Sequence, residues 1–132
     1  MTTNYKLCHL RNLIVLSKAD GKELPEEAEF ISSIIGRESL TEEDQKYCIE
    51  NLDAIDNAIP DNYNERMEYL YDLIKLMVID GHVDEKELEI CKECAEMMKI
   101  PSDSVENLVN NLISLIHKDM GEADSTDRNS SL

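Results

Sequence analysis

The sequence predicts an all-α protein, a compact helical bundle of two tandem helix-turn-helix repeats around two buried central helices. Apolar residues recur at helical spacing along the 132-residue chain, and no run alternates as a half-exposed strand would. One helical pattern with an Asp-Gly turn occurs twice, 60 residues apart. Two predicted helices, around residues 13–16 and 70–79, are apolar on nearly every side. Helices of that kind are surrounded by others, so we expect these two to pack on each other at the centre.

Three helical segments are predicted in the first half of the chain. The first runs from about Asn4 to Ala19 and the second from about Pro25 to Gly36, with its proline favourable at the first helical position. Thr41 predicts the N-cap of the third, because the acidic residues that follow it complement the helix dipole. This segment is broken near residue 53 and ends before residue 60.

The second half repeats this organisation. A long helix is predicted from about Asn62 to Ile79, and the next, to about Lys99, starts at Asp84, which forms a capping box with Glu87. A last amphipathic helix follows residues 101–102, and its apolar stripe is Val105, Leu108, Val109, Leu112, Ile113 and Ile116. We expect one domain over residues 1–118 and a disordered acidic and polar tail over residues 119–132.

The charge of the chain limits its partners. Its 29 acidic and 13 basic side chains give a net charge of −16, which disfavours nucleic acid and anionic lipid and favours cations and basic proteins. The longest apolar runs have four residues, against the roughly 20 that a bilayer span needs. The N-terminus lacks the pattern of a secretory signal. We therefore expect a soluble, cytoplasmic protein without membrane insertion.

The internal repeat is the most specific feature of the sequence. Seven of 17 positions are identical between residues 13–29 and residues 73–89, without a gap. The identities include both Asp-Gly turns and the glutamate seven residues after each aspartate, which are Asp20 and Glu27 in the first copy and Asp80 and Glu87 in the second. Duplication predicts a pseudo-twofold arrangement that brings the two turns towards each other.

These two patterns resemble the TerB-like family, which includes tellurite-resistance protein TerB and the N-terminal domain of DnaJ-like co-chaperones. The family mark is an apolar helix that ends in Ala-Asp-Gly, with an acidic residue about seven positions later and a second copy of the pattern. Residues 18–27 and 78–87 match it, although Ile79 replaces the usual alanine. The resemblance covers roughly residues 7–117 and implies a helical bundle with an acidic, metal-binding cluster and no established catalysis.

Two interpretations of the four acidic residues remain open. They form either the core of a cation site or purely local structure, since Asp before Gly makes Asx-turns and Glu at the third helical position is a common cap. Local capping explains Glu87 better than Glu27, because Leu24 at the corresponding cap position has no side-chain acceptor. If the site exists, its oxygen ligands favour calcium or magnesium. The residues around Asp80 do not favour an EF-hand, because Leu76 and Val78, at positions one and three of its loop, cannot ligate calcium.

The remaining motifs do not indicate an enzyme. Cys91 and Cys94 form a CxxC motif, but it lies in the middle of a predicted helix, so we interpret both as buried core thiols rather than a redox or zinc site. No G-x-S-x-G, Walker or H-E-x-x-H motif occurs. We expect a non-catalytic, stress-related module that binds a divalent cation. The alternative is a structural helical adaptor that docks a basic protein through its acidic surface, without metal.

Overall fold

The computed structural model describes residues 4–19, 21, 24–79 and 83–115, and these form an all-α bundle. Its helices are α1 (Asn4–Lys18), α2 (Pro25–Arg37), α3 (Glu42–Glu50), α4 (Tyr63–Val78), α5 (Glu85–Met97) and α6 (residues 103–115), with a 3-10 turn at Leu52–Ala54. The fold-class prediction is confirmed. None of the described helices combines the length and apolar character that a bilayer crossing needs. The predicted tail and Ile116 lie outside the described residues.

Side-chain caps start the helices where the sequence predicts them. The Thr41 hydroxyl accepts from the Asp44 amide at 3.1 Å, and the Asp44 carboxylate accepts from the Thr41 amide at 2.9 Å, so α3 opens with a complete capping box. Asp84 accepts from the backbone amides of Lys86 and Glu87 at the start of α5. The Asp84 half of the predicted capping box is therefore present.

Equivalent helices of the two repeats also end in the same way. Ser39 and Lys99, 60 residues apart, both adopt the left-handed conformation, with φ of 57° and 60°. The next amides, of Leu40 and Ile100, each donate to the carbonyl five residues back, at 3.0 and 2.8 Å. These are Schellman motifs without the usual glycine. The predicted end of α2 at Gly36 is one residue short, because the motif closes after Arg37.

A pseudo-twofold axis passes between α1 and α4, which form the most extensive helix contact. His9 and Tyr69 are equivalent residues of the two copies, and their rings stack with centroids 3.7 Å apart and planes 3° from parallel. Equivalent residues touch each other only close to a twofold axis. Duplication thus extends from the sequence to the packing.

The core surrounds the two central helices. Leu13 and Leu16 of α1 and their equivalents Leu73 and Leu76 of α4 have no exposed surface. A second apolar cluster lies between α1 and α3, and Ile31 packs against both clusters. Burial of this extent is the main source of stability in a helical bundle.

One residue of the central helices departs from the prediction. Val15, expected to be surrounded, is 36% exposed. Beside it lies a surface groove of about 420 Å³, whose lining includes Ile90 and Met97 of α5 and Arg11 of α1. The prediction was wrong here because α5 packs on α1 without closing over this side of the helix.

Candidate functional site

Glu27 and Glu87, two of the four predicted site residues, occupy matching places in the repeats. Each is the third residue of its helix, in α2 and α5, and the two are only 5% and 4% exposed. Glutamate is almost never this buried unless it has a partner. Leu24, the N-cap of α2, provides no side-chain cap, whereas Asp84 caps α5. Burial of the glutamate is therefore shared by the two copies, although only one of them has a side-chain cap.

The two aspartates of the predicted site, Asp20 and Asp80, lie outside the described residues. In the first turn, Gly21 adopts φ of 76° and its amide donates to the Lys18 carbonyl at 3.1 Å, which ends α1. Within the described ranges, no three His, Cys, Asp or Glu side chains lie close enough together to hold a metal ion. Convergence of the four carboxylates therefore stays a prediction.

A buried polar network lies at the crossing of α1 and α4, where the sequence analysis placed only apolar packing. Asp72 of α4 is 3% exposed and accepts hydrogen bonds from three nitrogens. His9 Nε2 lies 2.9 Å from its Oδ2, and the Arg37 guanidinium binds both carboxylate oxygens at 3.1 and 2.6 Å. Bidentate pairing of this kind is directional and strong. Asp72 thus ties α1 and the end of α2 to α4.

Glu38 extends this network on its outer side. Its carboxylate accepts from the Tyr69 hydroxyl at 2.5 Å and from Arg37 Nε at 3.1 Å, while its backbone carbonyl accepts from Lys6 Nζ at 3.0 Å. Burial, and then the bond to Glu38, raise the pKa of Tyr69. Glu68 adds a partner for the guanidinium, with its Oε1 3.2 Å from Arg37 Nε. One indication of the network was present in the sequence, since Asp72 lies within the largely apolar segment of residues 70–79.

The charges within the network follow from its burial. Burial alone would raise the pKa of Asp72, but the hydrogen bonds from His9 and Arg37 hold that pKa below 3.8. Burial lowers the pKa of His9 below 6.5, in spite of the nearby carboxylate. At neutral pH the carboxylate and guanidinium are therefore ionised and the imidazole is neutral. An ionised carboxylate only accepts, so Nε2 of His9 carries the proton.

We expect the free energy of unfolding to fall as the pH drops below about 6.5, in part because of His9. Below that pH the unfolded chain binds a proton at this histidine while the folded protein does not, so acid favours unfolding, by at most about 1.4 kcal/mol per pH unit. Urea unfolding between pH 7.5 and 5.5 measures the loss. His9→Gln keeps a donor for Asp72 without titrating, so this variant should lose less stability than the wild type. Equal losses of stability in the wild type and in His9→Gln would contradict the assignment of His9 as a neutral, buried imidazole.

All four cysteines are free thiols and all are buried. Cys91 has no exposed surface and Cys94 is 8% exposed, which confirms their interpretation as core residues. Burial raises the pKa of Cys94 to about 12 and that of Cys48 to about 11, and it raises the pKa of Cys91 further. Since the thiolate is the reactive form, this environment does not favour nucleophilic or redox chemistry at the CxxC motif.

No protein-family model, curated protein or solved structure matches this chain. The resemblance to the TerB-like family therefore rests on the two Asp-Gly patterns quoted above.

Proposed function

We propose that the chain is a TerB-like, non-catalytic module of the cytoplasm that binds calcium or magnesium through Asp20, Glu27, Asp80 and Glu87. Its role would be that of a stress-related interaction protein, like the tellurite-resistance proteins. The observation that carries the proposal is the deep burial of Glu27 and Glu87 at equivalent positions of the repeat. A divalent cation shared between the copies would add a strong attraction to both buried carboxylates.

Two features of the donor set support a hard cation. Only oxygen atoms are available from the four side chains, which fits calcium and magnesium better than soft metals. In the sequence, each aspartate comes two residues after the last residue of its helix, Lys18 or Val78, and the negative end of a helix dipole disfavours a nearby carboxylate by about 0.3 to 1 kcal/mol. Because this unfavourable placement occurs in both copies, it supports a ligand-binding role for the two aspartates.

A thermal shift tests the proposal. Calcium or magnesium at 100 times its dissociation constant should add about 2.7 kcal/mol to the free energy of unfolding and raise the Tm. The double variant Asp20→Asn with Asp80→Asn should lose this rise. Asp53→Asn with Asp56→Asn removes the same charge from two exposed positions and should keep it. A rise that survives in the first double variant would count against the site.

The second candidate function is the structural adaptor, which docks a basic protein without metal. A net charge of −16 and an open apolar groove beside the acidic helices α2 and α3 favour it.

A further inference from the structure

An apolar groove of about 300 Å³ opens between α1, α2 and α3, and we name it the first-copy groove. Its apolar lining comes from all three helices: Ile14, Leu24, Ala28, Ile31, Ile35 and Ile49. Ile49 is 55% exposed, which is high for a large aliphatic residue in a groove. A concave apolar surface of this kind can accept apolar side chains of another molecule.

The second repeat has a groove of similar size, about 280 Å³, at the corresponding place, and we name it the second-copy groove. It lies between α5 and α6, where Lys92 Nζ and Glu106 Oε1 form an ion pair at 2.7 Å. Aligning the starts of the third helices makes Gln45 of α3 the counterpart of Glu106, and the repeat makes Ser32 the counterpart of Lys92. Both counterparts are uncharged and both line the first-copy groove. The bridge between the walls in the second copy is thus replaced by neutral side chains in the first.

The floor of the groove also differs between the two copies. Ile14 and Ser17 of α1 line the first-copy groove and are 7% and 9% exposed. Their counterparts in α4, Ile74 and Met77, are 0% and 2% exposed and belong to the main core. The floor of the first-copy groove therefore keeps a little more exposed surface than the same part of the second copy.

Charge identifies the kind of occupant. Residues 25–50, which form the α2 and α3 walls, contain eight acidic and two basic side chains, a net charge of −6. One of the two, Arg37, is already bound to Asp72. A second copy of the chain, at −16, is disfavoured by repulsion. Residues 116–132 carry four acidic and two basic side chains, a net charge of −2, so they do not complement the groove either.

We propose that the first-copy groove binds a basic amphipathic helix of a partner protein. Apolar side chains of that helix at positions i, i+3 or i+4, and i+7 would fill the groove, and flanking Lys or Arg residues would face the acidic surfaces of α2 and α3. This inference gives the adaptor role a surface and a partner chemistry. It does not rest on the cation site, although Glu27 lines the groove as well.

Fluorescence anisotropy with a synthetic peptide tests the inference. The probe is a labelled amphipathic helix with leucines at i, i+4 and i+7 and lysines elsewhere, titrated with the full chain in excess EDTA. Saturable binding is expected, and Ile49→Gln should weaken it by roughly tenfold or more through the loss of one apolar anchor. Val83→Gln is the matched control, because Val83 is 38% exposed and lines the second-copy groove. That variant should bind as the wild type does.

Four results would overturn the inference. The first three are no saturable binding, equal binding of a peptide with the same composition but scattered leucines, and Ile49-dependent self-association in sedimentation. Binding that vanishes in EDTA and returns with calcium would also overturn it, since the partner would then bind through the cation. Failure of the cation site alone leaves the expected peptide result unchanged, so the two proposals fail separately.

Discussion

Asp72→Ala is expected to destabilise the folded protein by about 3 kcal/mol, because it removes one partner of a buried ion pair. The substitution leaves His9, which is 3% exposed, without its carboxylate and takes from Arg37 two hydrogen bonds. The loss lies at the lower end of the range for buried pairs, since Arg37 is 37% exposed and keeps Glu38. Urea unfolding measures it directly.

Glu68→Ala is the matched control for this substitution. Glu68 contacts the same guanidinium at 3.2 Å but is 52% exposed, so its removal should cost about 1 kcal/mol or less. Similar losses for Asp72→Ala and Glu68→Ala would show that the network does not hold the helices together. A larger loss for Asp72→Ala than for Glu68→Ala would confirm that burial makes the Asp72–Arg37 pair the more stabilising of the two.

Asp20→Asn with Asp80→Asn is expected to stabilise the metal-free protein. Two carboxylates about 4 Å apart repel by roughly 4 kcal/mol at an effective dielectric of 20, so converging ligands are strained without a cation. Aspartates that only shape their turns would show no such gain, because asparagine supports the same Asx-turns and is ranked with aspartate as a cap. The free energy of unfolding in EDTA gives the sign.

The change in the free energy of unfolding is informative only when it is compared with that of a variant with the same change in net charge. Asp53→Asn with Asp56→Asn relieves the general repulsion of a chain at −16 without touching the repeat. We expect the turn variant to gain more stability than this control. If it gains no more than this control in EDTA, the acidic residues are structural and the cation hypothesis has to be abandoned.

Sequence patterns predicted most of the fold because the signals were local and duplicated. Helical periodicity, the Thr41 and Asp84 caps and the Asp-Gly repeat gave the correct helices, with ends within two residues for α1, α2, α4 and α5. The third helix ends at Glu50, three residues before its predicted break. Where glycine or proline does not mark an end, prediction is harder. Ser39 and Lys99 adopt a conformation that these residue types rarely take, so their Schellman motifs had no sequence signature.

The polar network could not be predicted from the sequence, for a different reason. His9 and Asp72 are 63 residues apart, and Arg37 comes from a third helix, so only tertiary packing brings them together. Comparison of the two copies does not reveal the network either, because the counterpart of Asp72 is Asn12 and that of His9 is Tyr69. A search for identical residues in two copies passes over sites at which the copies have diverged.

A crystal structure of the full chain grown with calcium tests the central claim most directly. The cation proposal predicts one calcium ion between the two turns, with carboxylate oxygens of Asp20, Glu27, Asp80 and Glu87 about 2.3 to 2.6 Å from it. Turns that hold no calcium, with each carboxylate bonded only to backbone amides of its own repeat, would contradict the proposal.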